Sequence, residues 1–183
     1  MPIQHCEDAI LKAMGRRTNK QELQEIISKL RTAMPDIVIR TTLITGFPGE
    51  TLSQHEAMLS FVDEMEFDRL GVFAYSQEEG TAAGSFPDQI DEEVRQHRAD
   101  ILMEQQMQIS YDYNERQLGT IKEAVVEGFD KWAECYFGRT AADAPDIDGK
   151  VFFSSERPLQ VGDYVNIKIT DMLDYDLLGE VVE

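Results

Sequence analysis

The stretch "TTLITGFPGET", Thr41 to Thr51, passes from an apolar β-type run to the start of a helix within a few residues. The run breaks at Gly46. Pro48-Gly49 suits a type II turn, because proline presets one dihedral and glycine accepts the positive one. Thr51, with Gln54 three residues later, has the form of a capping box. A glycine turn at the carboxyl end of a parallel strand leaves backbone N–H groups free where it enters a helix, and in α/β sheets and barrels ligands bind at that end. The corner reads as a candidate ligand site, with a plain turn as the alternative. It is not a phosphate-binding P-loop, since GxxxxGK[ST] needs a lysine that Glu50 and Thr51 do not provide, and no GxGxxG occurs.

Working outward, "KQELQEIISKLRTAM" places Leu23, Ile26, Ile27, Leu30 and Met34 on one helical stripe that Pro35 ends, and "DIVIRTTLIT" follows as a buried strand. The helix after Thr51 faces Met58, Phe61, Val62 and Met65 inward. "RLGVFAYS" is the next strand, and a long helix spans about Asp91 to Gln117 with Val94, Ile101, Leu102 and Ile109 on one face. With the opening residues as a first strand, this alternation implies parallel strands joined by right-handed crossovers. After Gly119 come five short β segments, "TIKEAVVEGF", "WAECYFGR", "GKVFF", "DYVNIKIT" and "LLGEVV". In the fourth, Val165, Ile167 and Ile169 alternate with polar residues as a half-buried strand demands. The expected fold is α/β plus all-β: three βα units over residues 1–118, then a small five-stranded antiparallel OB-like barrel over 119–183.

At 183 residues with 42% hydrophobic content, the chain can bury a real core. No stretch approaches the run of about 20 apolar residues that a membrane span requires, and the N-terminus lacks a charged region followed by an apolar one, so the expectation is a cytoplasmic protein without a membrane partner. The only cysteines, Cys6 and Cys135, lie too far apart in sequence for a CxxC metal site and read as ordinary thiols. Net charge is −18, divided as +1 over residues 1–50, −11 over 51–118 and −8 over 119–183. Such a field repels phosphate backbones and favours a basic protein partner, the alternative being a solvated acidic surface.

"MPIQHCEDAILKAMGRR", "RTTLITGFPGET" and "VFAYSQEEGTAA" together resemble, in order and spacing, the back half of the radical S-adenosylmethionine barrel of methylthiotransferases. The tail resembles the TRAM domain that ends those enzymes, so the likeness covers essentially the whole chain. Gln4-His5 and "GRTAADAPDIDG", Gly138 to Gly149, are similar to the ribosomal-protein branch of that superfamily, and an acidic tail suits a basic ribosomal protein better than RNA. The resemblance implies exchange of a C–H for a C–SCH₃ bond at the β-carbon of an aspartate in small-subunit ribosomal protein twelve. It also implies S-adenosylmethionine and two 4Fe-4S clusters as cofactors. The sequence departs from the pattern in one respect: the CxxxCxxC motif and the three further cluster cysteines are absent, and two cysteines do not replace six. The expectation is therefore a carboxyl-terminal fragment, inactive alone, with no catalytic or metal residues of its own and an unpaired sheet edge liable to self-associate. A transfer-RNA methylthiotransferase and a non-enzymatic acidic protein-binding module are the alternatives.

The same resemblance supplies roles for residues of this chain. Gln4 and His5 contact the cofactor ribose, line the substrate cavity, or serve as cap or core. Arg40, a cation in an apolar strand, meets the cofactor carboxylate or forms a structural ion pair. Ile44, Gly46 and Phe47 shape an adenine shelf, and Tyr75 packs on the adenine or faces the core. Arg139, Asp143, Asp146 and Asp148 dock the substrate, or the aspartates satisfy their own turn. Trp132, Tyr136 and Phe137 have the look of a nucleic-acid platform, which so acidic a domain opposes, so RNA binding is not expected.

Overall fold

The computed structural model describes residues 1–182. They form two compact units that divide between residues 109 and 110, inside the helix Glu92–Glu115. In the first unit α1 (Asp8–Ala13) and α2 (Lys20–Ala33) precede β1 (Arg40–Thr45), α3 (Leu52–Met65), β2 (Arg69–Ala74) and α4 (Glu92–Glu115). β1 and β2 pair in parallel with Arg40 beside Arg69 and Thr45 beside Ala74. The first strand expected from the sequence is reduced to an isolated parallel bridge between Gln4 and Leu43, in which Gln4 N–H donates to Thr42 O and Ile44 N–H donates to Gln4 O. Two strands and one bridge thus stand where three strands were expected.

One face of this sheet is buried by helices. Thr41, Leu43 and Thr45 alternate inward, and Leu43 belongs to one core cluster with Ile3, Leu11, Met58, Phe61, Val62, Phe67 and Leu102. The α3 stripe is buried as its spacing predicts, but α2 buries Leu23 and Ile27 while Met34 is exposed. The α4 expectation also needs correction: Val94 is 41% exposed, whereas Ala99, Leu102, Gln106 and Ile109 are buried. Gln106 belongs to the stripe because its amide donates to Phe67 O at 2.8 Å, so a search for apolar residues alone misplaces the face.

The second unit is a closed barrel of β3 (Ile121–Asp130), β4 (Cys135–Thr140), β5 (Val151–Ser154), β6 (Tyr164–Leu173) and β7 (Asp176–Val182), ordered β3-β4-β5-β7-β6. It is not wholly antiparallel: β5 and β7 run parallel. Parity requires this, because a ring with an odd number of strands cannot alternate direction at every neighbour. The core holds Ala124, Val126, Val151, Phe153, Val165, Ile167, Ile169 and Leu177, supplied by alternate residues of the strands. Ile167→Ala is expected to cost about 2–5 kcal/mol, read as a lower urea midpoint by near-ultraviolet circular dichroism; a loss below about 1 kcal/mol contradicts this core.

Candidate functional site

The corner after β1 has the predicted local chemistry. Glu50 N–H donates to Phe47 O at 2.9 Å across Pro48-Gly49, and Gly49 has φ +81°, as a type II turn requires. Thr51 and Gln54 form the capping box that opens α3. Gly46 is required twice over, since its φ is +72° and an added Cβ would lie 2.4 Å from Arg95 Cγ.

The corner is nevertheless not a row of free amides. The fully enclosed Glu50 carboxylate turns back into it, accepting from Gly46 N–H at 2.8 Å and from Thr45 Oγ1–H at 3.2 Å. Gly49 N–H donates to Asp88 O and Thr51 N–H to Gln54 Oε1. The amides of Gly46, Gly49, Glu50 and Thr51 are thus taken within the chain, that of Gly46 by the only charged side chain of the stretch.

Glu50 also gathers distant segments. His5 Nε2 lies 3.2 Å from its Oε2, and Glu7 N–H donates to His5 Nδ1, which assigns the ring proton to Nε2. From α4, Arg98 Nη1 donates at 2.6 Å to Glu50 Oε1 and at 3.0 Å to Glu50 O. Burial alone would raise the Glu50 pKa; hydrogen bonds from His5, the Arg98 guanidinium and the Gly46 amide outweigh it and hold the carboxyl below the usual range. His55, also buried, approaches Thr45 Oγ1 at 3.4 Å through Nδ1, and its Nε2 has no partner among the described residues. Burial foremost, with the charge of Arg98, outweighs the opposing pull of Glu50 and Glu56 and lowers its pKa.

Beyond the corner lies a ring cluster. Phe47 meets Tyr75 edge-on at 5.3 Å and Phe86 at 6.1 Å. Arg95 donates to Tyr75 O, and its guanidinium stands 5.8 Å from the Tyr75 ring centre. Gln89 donates to Ala83 O and Phe86 O. Three buried polar atoms around these rings, Tyr75 Oη, Arg95 Nε and Gln89 Oε1, have no partner among the described residues.

The structure therefore brings His5, Gly46 and Phe47 to one corner, with Tyr75 on the Phe47 ring. Gln4 sits on the neighbouring bridge with φ +71°, unusual for a glutamine, and Ile44 is half-buried beside Phe73. Arg40 is elsewhere: it begins β1, about 17 Å along the strand from Thr45. Sequence reading missed Glu50, His55, Arg95, Arg98 and Gln89; the one local signal was an acidic residue alone in an apolar turn. In the barrel, Asp143 Oδ2 accepts from Thr140 N–H and Oγ1–H, and Asp148 Oδ2 accepts from Ala144 N–H, so these aspartates bind their own turn. Asp146 is exposed at φ +59°, and Arg139 pairs with Glu127 at 2.7 Å. Trp132, Tyr136 and Phe137 do not form one platform: Tyr136 stacks on Phe153 and accepts from Leu159 N–H, whereas Phe137 pairs with Phe152 beneath Lys150.

A parallel βα corner beside a cluster of unpartnered polar atoms is thus followed along the chain by a closed five-stranded, OB-like barrel. Residues 118–182 match the TRAM domain. The whole chain is similar to proteins named ribosomal protein uS12 methylthiotransferase RimO. It is 47% identical over 182 residues to that of Acetivibrio thermocellus, covering 100% of this chain and 40% of the relative. The corresponding figures are 46% over 183 residues, 100% and 41% for Geobacter sulfurreducens, and 47% over 184 residues, 100% and 41% for Desulforamulus reducens. The match along the whole of this chain and the TRAM domain fit a carboxyl-terminal part of a RimO-type methylthiotransferase; the chain spans about 40% of the curated relatives' length.

Two predictions follow from the Glu50 network. Glu50→Gln leaves Arg98 without its charge partner and is expected to cost about 3 kcal/mol in urea unfolding; a loss under about 1 kcal/mol contradicts the network. His55, whose folded pKa is depressed, contributes stability in full above its ordinary 6.5 and loses it as pH falls below that, and Glu50 adds a further loss below its ordinary 4.5. The urea midpoint should fall between about pH 7 and about pH 5, and His55→Gln should flatten that fall; an unchanged slope in the variant removes His55 as the cause.

Proposed function

We propose that the chain is part of an enzyme that methylthiolates the β-carbon of an aspartate in ribosomal protein uS12 by radical S-adenosylmethionine chemistry. Its residues 1–118 would contribute to the radical barrel and 119–183 the TRAM domain, in the cytoplasm. The observation that carries the reading is the end-to-end likeness to RimO-named relatives at 45–47% identity. Glutamate-locked geometry at the carboxyl ends of β1 and β2 supports it, since a cofactor pocket has to be rigid before it is filled.

The ring cluster fits S-adenosylmethionine. Tyr75 lies edge-on to the buried Phe47, and Tyr75 Oη, Arg95 Nε and Gln89 Oε1 are two donors and an acceptor, buried beside those rings without partners among the described residues, that a purine entering there would satisfy. When bound, the cofactor supplies a methyl group and an adenosyl fragment. The chain's own part would be to seat its purine against the Phe47–Tyr75 pair, with Gly46 making room for Arg95, and with Ile44, Gln4 and His5 on the neighbouring strand and bridge. Arg40, at the far end of β1, would reach only the opposite end of an extended ligand.

The cysteines do not fit an iron–sulfur cluster. Cys6 is enclosed, its thiol pushed up to about 12 foremost by burial, and Cys135 belongs to the other unit. Among the described residues no group of three or more His, Cys, Asp or Glu side chains is placed to hold a metal. Cluster ligands would come from the remaining part of a longer parent, and this chain alone would be inactive.

Exposed Asp146, on a loop shaped by Asp143 and Asp148, and Arg139 nearby remain the residues we assign to substrate contact. A basic ribosomal protein is the partner this reading requires, and RNA is not.

Two measurements test the reading. A parent protein containing this chain, reconstituted anaerobically with iron and sulfide, is expected to show cluster absorbance and to add the SCH₃ mass to uS12; a parent that takes up no iron supports a binding module, and one that modifies transfer RNA supports the other branch. Tyr75→Phe should weaken S-adenosylmethionine binding to the parent about fivefold, the worth of roughly one hydrogen bond; unchanged affinity contradicts the pocket.

A further inference from the structure

His5 and His55 flank the Glu50 carboxylate, and the hydrogen bonds around them place their protons differently. Thr45 has one hydroxyl proton, and it goes to Glu50 Oε1 at 3.2 Å, because a carboxylate only accepts. Thr45 Oγ1 therefore meets His55 Nδ1, 3.4 Å away, as an acceptor, and the His55 ring proton sits on Nδ1. His5 carries its proton on Nε2, toward Glu50. What remains is the lone pair of His55 Nε2, in a residue that is 2% exposed and with no partner among the described residues.

A proton that enters His55 has only that atom to occupy. It would turn Nε2 into a donor without an acceptor and put a charge on an enclosed ring, and both are unfavourable. The neighbours do not relieve this. Glu50 from the turn and exposed Glu56 from α3 attract the charge, Arg98 from α4 repels it, His5 ahead of α1 is neutral, and burial outweighs the attraction. Relief requires Nε2 to reach water, and the first turn of α3 is weakly held. His55 is its only buried residue: Leu52 and Ser53 are exposed, Gln54 is half-buried, and the next α3 side chain in the core is Met58. The turn depends on the bond from His55 N–H to Thr51 O at 3.1 Å and on the capping box. Segments with so few buried contacts open well below the free energy of global unfolding.

Movement of that turn reaches the corner by two routes, since Thr51 adjoins Glu50 and the Thr45 hydroxyl binds both His55 and the carboxylate. We propose that His55 is a proton-operated latch: its neutral ring keeps the corner after β1 closed, and protonation at Nε2 unwinds the first turn of α3 and releases the Gly46 amide from Glu50. Phe47 lies inside the released turn, so acid loosens the ring cluster as well. The latch rests on the chain's own residues and does not depend on the function proposed above. Opening returns the ring to its ordinary 6.5, so protection is full above that pH and is lost below it, by up to about tenfold per pH unit for one proton.

Nuclear magnetic resonance of the full chain between about pH 7.5 and about pH 5, above the range in which Glu50 titrates, tests the latch. At the upper limit the His55 ring should be the neutral Nδ1–H form and His5 the Nε2–H form. Protection factors of the His55 and Gly46 amides, each referred to unstructured peptide at the same pH, should fall together below about 6.5, while those of Phe61 and Val62 farther along α3 hold. His55→Phe keeps a ring without the titration and should leave Gly46 protection level; His55→Gln, also uncharged, serves if the phenyl ring disturbs the core. Level Gly46 protection in the unaltered chain, a fall that persists in both variants, a neutral His55 with its proton on Nε2, or an equal loss at Phe61 and Val62, the mark of global opening, each overturns the proposal.

Discussion

A carboxylate enclosed in protein must be paired and hydrogen-bonded or it will not stay charged, and Glu50 meets that demand by drawing together segments that have no other reason to meet. Its oxygens take a donor from the start of the chain, two from the end of β1 and one from α4. The βα corner is thereby fixed on every side. The rings that follow it, Phe47, Tyr75 and Phe86, inherit their positions from that fixture together with Arg95, which occupies the space left by the missing side chain of Gly46.

This changes what the corner offers a ligand. Glycine turns at strand ends commonly serve anions through their amides. Here the protein's own carboxylate holds the Gly46 amide, and what stands unsatisfied among the described residues is the buried trio of Tyr75 Oη, Arg95 Nε and Gln89 Oε1 beside the rings. Under the proposed function, an adenosyl group would have to satisfy those atoms.

Much of the fold was legible in local sequence. The turn, the capping box, the α3 stripe and the alternation of β6 all rest on contacts within a few residues. What escaped was long-range and polar. Glu50 finds His5 and Arg98 at separations of 45 and 48 residues, which no periodicity reports. The α4 face was misplaced because Gln106 is buried for its hydrogen bond, and Val94 is apolar but exposed. In the barrel, strand alternation found the core, while the parallel β5–β7 pair follows from closure of the ring and cannot be seen in any one segment. Of the site residues, those beside the glycine turn converge; Arg40 does not, since the resemblance named the strand but not which end of it matters.

The central claim is that the corner is closed from within by Glu50. Amide hydrogen exchange of Gly46, followed by nuclear magnetic resonance without any ligand, tests it most directly. If the carboxylate holds that N–H, its protection matches that of the buried α3 amides. Exchange as fast as that of an open surface loop would mean that the corner stands free and that the account of the site is wrong.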